Sequence, residues 1–216
     1  TASAAVAKTL ATSIEKGLGD FKGKTATVLA GTGPVGQTAS RLYATEGANV
    51  VVTSRDLSRS TAVAKKINEE IGTERARGVK AAAPNEVGES IKDSEVVLSA
   101  GAAGIHLLPL NVLKEYGKRC GVVGDINAIP PLGVEGLKPT DENVEILPRT
   151  WGIGALSIGT LKNKVEAQLF KRAVEAPKGV FDYKTAYDIA KSMVLAKLKE
   201  TEQDNPSARN LLPFSK

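Results

Sequence analysis

The 216-residue chain is 42% hydrophobic and 25% charged with a net charge of +5, the make-up of an ordinary soluble globular protein of one or two domains. No apolar run approaches the roughly 20 residues that span a bilayer, TASAAVAKTL at the start has no signal-peptide pattern, and the lone Cys120 excludes an internal disulfide framework and suits a reducing cytoplasm. One Cys and one His argue against a metal site, and Lys and Arg spread along a chain with only 4% aromatic residues argue against nucleic acid.

The chain opens on Thr1, so it reads as processed or as a piece of something longer. Residues 1–18 have helical spacing, with Ala4 or Ala5, Val6, Leu10 and Ile14 as the apolar stripe and Gly17 and Gly19 ending it. This helix packs on a sheet edge or connects from a preceding domain. The apolar run Thr25 to Ala30 then enters Gly31-Thr32-Gly33-Pro34-Val35-Gly36, and Val35, Ala39 and Leu42 recur at helical spacing beyond it. Strand, GxGxxG turn and helix form the fingerprint of a dinucleotide-binding βαβ unit. Gly31 permits the tight turn, Gly33 lets the backbone approach a pyrophosphate, and Gly36 lets the helix sit close on the strand. The helix N-terminus offers free N–H groups to the phosphates.

Gly47 caps that helix, and Asn49 to Thr53 is β-branched, as expected of a buried parallel strand. Its tip carries Ser54-Arg55-Asp56, with Ser58 and Arg59 following. NAD sites usually place an acid here to accept from the ribose 2′-hydroxyl. A hydroxyl beside a guanidinium suits a 2′-phosphate instead, which favours NADP, while Asp56 keeps NAD use open. Arg55 and Arg59 as solvated loop residues is the plainer alternative. A helix over 57–71 with Val63, Ile67 and Ile71 inward, a strand over 79–83 and a helix over 84–92 follow. Ser94 to Gly101 is the fourth strand and its exit, whose small Ala100, Gly101 and Ala102 leave room for a nicotinamide ribose or simply form a turn.

A helix from Pro109 to Tyr116 has Leu110 and Leu113 on one face, and Cys120 to Asp125 is the fifth strand, with Cys120 a buried packing residue. His106 is either a general acid or a structural or exposed histidine. Residues 143–147 read as a sixth strand ending near Trp151, and Gly152-Ile153-Gly154 as a turn into a helix over 156–176 with Leu161, Val165, Leu169, Phe170 and Val174 on its core face. After Pro177, Asp182 caps a last helix with Ala186, Ile189, Met193 and Val194 inward, and from about Thr201 the chain reads as a flexible tail. The expected fold is a Rossmann-like doubly wound parallel sheet with helices on both faces: a connecting helix over 1–20, the cofactor domain over 21–200 and the tail over 201–216.

Four stretches, VLAGTGPVG (28–36), SAGAAGIHLLP (99–109), DINAIPPLGVEG (125–136) and GALSIGTLKNK (154–164), resemble the NAD(P)-dependent methylene-tetrahydromethanopterin dehydrogenases. The DxNAxPPLG run is far more selective than the glycine motif. In that family the Rossmann domain follows an N-terminal α/β domain, which this chain lacks, and the pterin lies between the two. The resemblance implies transfer of a hydride from methylene-tetrahydromethanopterin, or methylene-tetrahydrofolate, to NADP in one-carbon metabolism. The donor carbon lies between two nitrogens that stabilise the developing methenyl cation, so no catalytic acid or base is expected.

On this reading Gly31, Thr32, Gly33, Pro34, Val35 and Gly36 cradle the pyrophosphate. Ser54, Arg55, Ser58 and Arg59 hold the 2′-phosphate, and Ala100, Gly101 and Ala102 border the nicotinamide ribose. Asp125, Asn127 and Ala128 lie at the nicotinamide end, with Gly154 and Lys162 as further cofactor candidates. Asn127, Pro130 and Trp151 are candidates for the pterin side. Ordinary turn chemistry is the alternative for Asp-x-Asn and Pro-Pro, and an exposed helix position the alternative for Lys162. A homo-oligomer is expected. Rival readings are a shikimate-dehydrogenase-like or other two-domain NADP enzyme, and a stand-alone NADP-binding regulatory module.

Overall fold

The computed structural model describes residues 1–176 and 178–204; Pro177 and the expected tail from residue 205 onward lie outside the described residues. In chain order the elements are α1 (Ala2–Glu15), β1 (Thr25–Leu29), α2 (Pro34–Thr45), β2 (Asn49–Ser54), α3 (Leu57–Ile71), β3 (Ala76–Lys80), α4 (Pro84–Ile91), β4 (Val96–Ser99), α5 (Leu110–Tyr116), β5 (Val122–Asp125), β6 (Glu142–Leu147), β7 (Thr150–Ile153), α6 (Ala155–Glu175) and α7 (Tyr183–Asp204). The strands form one seven-stranded sheet in the order β3-β2-β1-β4-β5-β7-β6. All neighbours run parallel except the β6–β7 pair.

The central strands are buried on both faces, and their alternation sorts the core into two layers. Val28, Val50, Val52, Val96, Leu98 and Val122 point to the side covered by α1, α2, α3, α6 and α7. Leu29, Val97 and Val123 point to the side covered by α4 and α5, where they meet Val87, Ile91, Val112 and Leu113. Each such aliphatic side chain contributes roughly 1.5–3 kcal/mol on burial. Helices therefore cover both faces, as expected of a doubly wound sheet.

Helix α1 is buried nearly all round, from Ala2 through Ala7 and again at Thr9, Leu10, Thr12, Ser13 and Ile14. Its small residues let it sit between the sheet and the helices α2, α6 and α7. It is a core element of the sheet's crowded face, which a single apolar stripe does not convey.

Several boundaries differ from the sequence reading. Strand β3 runs Ala76–Lys80, three residues before the expected 79–83. It is an edge strand of mixed burial, so apolar content does not mark it. Its register is set by Asn68, whose Oδ1 accepts from the Arg75 and Ala76 amides and whose Nδ2 donates to the Ala76 carbonyl at 2.8 Å. Residues 150–153, expected as a strand end and turn, form β7, which supplies the parallel partner of β5 while β6 turns back as an antiparallel edge. On α5 the buried pair is Val112 and Leu113, with Leu110 only half-buried. On α6, Leu161 and Val165 are buried, but Phe170 and Val174 are 73% and 87% exposed, because the far turns of this helix have no layer over their outer face. Asp182 caps α7 as expected, accepting from the Lys184 and Thr185 amides, and α7 continues to Asp204, past the point where apolar periodicity fades. No helix among the described residues is long and apolar enough to cross a membrane.

Candidate dinucleotide-binding groove

The tips of β1, β2 and β4 open into a groove of about 750 Å³ at the C-terminal edge of the sheet. Ala30, Thr32, Gly33, Ser54, Arg55, Asp56, Arg59, Ala100, Gly101 and Ala102 line it, together with Thr53, Ala81, Val87, Ile105 and Leu107. Open α/β sheets bind ligands at this edge because loops there diverge to opposite faces. A larger depression of about 1020 Å³ lies at the other end of α2, among α2, α3 and α7, and contains no residue of the glycine turn.

The turn after β1 is held by β2: the Gly31 amide donates to the Thr53 carbonyl at 2.9 Å and the Ala30 amide to Thr53 Oγ1 at 3.1 Å. Ala30 takes a left-handed φ of 52° to make the exit. A Cβ on Gly31 would stand 2.8 Å from Val52 Cγ1 and 2.9 Å from the Val28 carbonyl oxygen. Close packing on β1 and β2 therefore demands that glycine. A Cβ on Gly36 would stand 2.7 Å from the Gly31 Cα, so the helix rests on the turn. A Cβ on Gly33 would meet only the Ala30 carbonyl oxygen, at 3.9 Å. Packing leaves that position open toward the groove.

Pro34 starts α2, and the amides of Thr32, Val35 and Gly36 have no acceptor among the described residues. This is the expected state of a helix first turn and favours an anion in front of it. Gln37 braces the loop through its amide group, which donates to the Thr32 carbonyl at 2.8 Å.

At the tip of β2, Ser54 is buried and Arg55 and Arg59 are exposed, and neither guanidinium forms an ion pair among the described residues. The Asp56 carboxylate caps α3, accepting from the Ser58 amide at 2.8 Å and Ser58 Oγ at 2.9 Å. The Ser58 hydroxyl holds that carboxyl below its ordinary range. Ser58 thus commits its hydroxyl proton to the cap and does not line the groove, unlike Ser54, whose Oγ accepts from the Asp56 amide and keeps its proton free.

The expected nicotinamide-end residues divide. Ala128 and Pro130 are exposed in the loop after β5, where the Pro130–Pro131 peptide is cis. Asp125 and Asn127 are only 2% and 4% exposed and do not line the groove. Asp125 Oδ1 accepts from the Asn127 amide and Oδ2 from the Val134 amide, each at 3.1 Å. Burial pushes the Asp125 carboxyl up, against the pull of those amides and of the Ser99 hydroxyl beside it, which stops short of a full hydrogen bond. The bonds of Asp125 thus go to loop backbone.

Three weaker candidates fall elsewhere. Trp151 is paired with Val122, level with Ala26 at the N-terminal ends of the strands, and Lys16 sits 4.2 Å over its ring. It is on the edge of the sheet opposite the groove, because residues 150–153 are strand and not a turn. Gly154 begins α6 with no room for a side chain: a Cβ would stand 2.1 Å from the Lys138 carbonyl oxygen. Lys162 pairs with Glu166 at 2.9 Å one turn along α6, outside the groove. His106 is exposed, and Cys120 is buried, its thiol pushed up to about 12 by burial and so kept protonated and inert. No cluster of His, Cys, Asp or Glu able to hold a metal occurs among the described residues.

Among the groove residues that sequence reasoning did not name as site candidates are Thr53, Ile105 and Leu107. Thr53 acts through a contact across two strands, which no local pattern displays. Ile105, 48% exposed in a glycine-rich loop, was the one with a signal: an aliphatic residue with no periodic partner.

No family model matches the chain. The bifunctional protein MdtA of Methylorubrum extorquens is 37% identical over 175 residues, covering 81% of this chain and 60% of that protein. The NAD(P)-dependent methylenetetrahydromethanopterin dehydrogenase of the same organism is 32% identical over 177 residues, covering 79% of this chain and 58% of that protein. Among solved structures, quinate dehydrogenase from Corynebacterium glutamicum in complex with NAD superposes with a TM-score of 0.52 at 19% identity over 87% of this chain and 62% of its own. A transhydrogenase from Sinorhizobium meliloti does so with 0.52 at 17% identity over 93% of this chain and 57% of its own. The structural likenesses establish the Rossmann-like fold alone. The sequence likenesses make this chain, which spans about three fifths of those proteins' length, a relative of the NAD(P)-dependent methylenetetrahydromethanopterin dehydrogenases.

Proposed function

We propose that this chain is the NADP-binding part of a cytoplasmic oxidoreductase that takes a hydride from methylene-tetrahydromethanopterin, or the corresponding tetrahydrofolate, and leaves the methenyl form. The observation that carries the reading is the groove itself. A glycine turn with open amides, a serine, two guanidiniums without an ion pair among the described residues, and a small-residue exit from β4 line one continuous depression. The residues fit a dinucleotide: Gly33 has the space a phosphate would occupy. The chain's relatives in sequence include a protein named as an NAD(P)-dependent methylenetetrahydromethanopterin dehydrogenase.

When bound, the nicotinamide supplies the hydride acceptor. The chain's own residues bind and orient. Thr32, Val35 and Gly36 offer amides to the pyrophosphate; Ser54, Arg55 and Arg59 favour a 2′-phosphate; and Ala100 to Ala102 leave the ribose against backbone. No acid or base is needed, since the methylene carbon gives up a hydride and its flanking nitrogens carry the resulting charge. The substrate half of the site belongs to the part of the relatives that this chain does not span.

Titration of the chain with NADP and NAD tests the first half of the proposal, and tighter binding of NADP is expected. Pterin-dependent NADP reduction by a protein joining this chain to a pterin-binding domain tests the second. Binding without turnover there would leave a nucleotide-binding module and defeat the dehydrogenase reading.

A further inference from the structure

The most selective stretch of the sequence, Asp125 to Gly136, brings almost no polar side chain to the groove. Its two buried polar residues are instead fully engaged with backbone. Asp125, at the tip of β5, accepts from the Asn127 and Val134 amides. Asn127 Oδ1 accepts from the Ile129 amide at 3.0 Å and from the Gly104 amide at 3.3 Å, and its Nδ2 donates to the Pro131 carbonyl at 3.1 Å.

Most of these bonds brace the loop after β5 itself; the Asn127–Gly104 bond reaches directly to the loop after β4, and the segment that Asp125 holds reaches it through backbone. Val134, held by Asp125, is bridged to Leu108, and the neighbouring Gly133 carbonyl accepts from the Leu107 and Leu108 amides, both at 2.9 Å. Leu107 lines the groove against Gly101, where a Cβ would come within 2.7 Å of Leu107 Cδ1. The second line runs from Asn127 to the Gly104 amide, one residue before Ile105, which also lines the groove. There is no slack in the first line: a Cβ on Gly133 would stand 2.2 Å from Ser99 Oγ and 2.6 Å from Asp125 Oδ1.

We propose that Asp125 and Asn127 are positioning residues which fasten the two exit loops together and so fix Leu107 and Ile105 as the wall of the groove at its nicotinamide end, touching no ligand themselves. The proposal rests on the reading of the groove as an NADP site. It assigns the DxN pair a role distinct from ligand binding: the wall is built from apolar side chains, and the buried polar pair sets where they stand. A carboxylate suits the β5 tip because it accepts from two diverging amides at once, and no neutral side chain of that length can do so with both oxygens.

The test compares the whole cofactor with its adenosine half. NADP and 2′,5′-ADP are titrated against the unaltered chain and against Asp125→Asn, Asn127→Ala and Gly133→Ala, with circular dichroism confirming the fold. In the variants NADP affinity should fall about tenfold or more, the size expected when buried donors lose an acceptor. Affinity for 2′,5′-ADP, which sits at the far strand tips, should change less than about twofold, as for sites that share no partners. A merely structural role would lower both together or neither, and an unchanged ratio in folded variants overturns the proposal while leaving the NADP site standing. If the unaltered chain binds neither compound, the NADP reading falls and this proposal falls with it. Should Asp125→Asn fail to fold, Asn127→Ala decides, since its bonds all go to loop backbone.

Discussion

A Cβ placed on Gly36 would collide with the Gly31 backbone at 2.7 Å, whereas one on Gly33 would meet nothing nearer than 3.9 Å. The glycines of one motif thus differ: packing requires Gly31 and Gly36 but leaves Gly33 open, where the proposed function places a phosphate. Gly36→Ala is expected to destabilise the fold by about 1–3 kcal/mol, the usual cost of overpacking, read as a lower urea midpoint. Gly33 already has a φ of −74° that alanine adopts, so Gly33→Ala should cost under about 1 kcal/mol of stability, the scale of glycine against alanine at an N-cap. The same change should weaken NADP binding by about 1–3 kcal/mol through the intruding methyl, which calorimetric titration would show. Arg55→Ala should lower NADP affinity relative to NAD by about 1.5–3 kcal/mol, the range for hydrogen bonds to charged groups. An unchanged ratio of the two would remove Arg55 from the 2′-phosphate assignment.

Among the elements, α6 separates periodicity from burial. Its apolar residues keep one helical spacing from Leu161 to Val174, yet Leu161 is 5% exposed and Phe170 73% exposed. The first half of the helix contributes Ile158, Leu161 and Val165 to the core cluster, while the second half leaves Phe170 and Val174 in solvent. Leu161→Ala should therefore cost about 2–5 kcal/mol, as for a buried leucine, and Phe170→Ala should stay within about 0.5 kcal/mol, as for a surface change. Chemical denaturation of the two variants measures both. The last turns of α6 expose Phe170 and Val174, which the sequence pattern assigned to the core, and the connection to α7 exposes Val180 and Phe181.

For the molecule as a whole, acid should weaken the fold. The Ser58 hydroxyl holds the Asp56 carboxyl low, Arg41 does the same for Glu70, and the Ala82 amide for Glu86; at Glu142 burial pushes upward but Lys8 outweighs it. Groups with depressed values stabilise the fold above their unfolded pKa, and that contribution is lost as pH falls through the folded value. Asp125 works in reverse. Its carboxyl is raised by burial, so in the window just above the ordinary carboxylate value the folded state binds more protons than the unfolded one, and stability rises as pH falls. The thermal midpoint should thus drop as pH falls through about 4, the ordinary carboxylate range. In Asp125→Asn the drop should be steeper, because the opposing contribution is gone. A parallel pH dependence in the two proteins would contradict the buried, raised state of Asp125.

By itself the sequence determined the βαβ unit around Gly31 to Gly36, the strands β1, β2, β4 and β5, and the helices between them. Each of these rests on near neighbours: β-branched runs that disfavour helix, apolar residues repeating with the helical period, and glycines where backbone must pass close. The tertiary structure decided what depends on distant partners. It made residues 150–153 a strand by pairing them with β5, and so carried Trp151 to the far edge of the sheet. It drew β3 three residues toward the N-terminus through Asn68, left Phe170 in solvent, and turned Asp125 and Asn127 inward onto loop backbone. The reason is common to all of these. A residue's type states what it can bond to, but which donor stands opposite it is settled only when segments far apart in the chain close on one another.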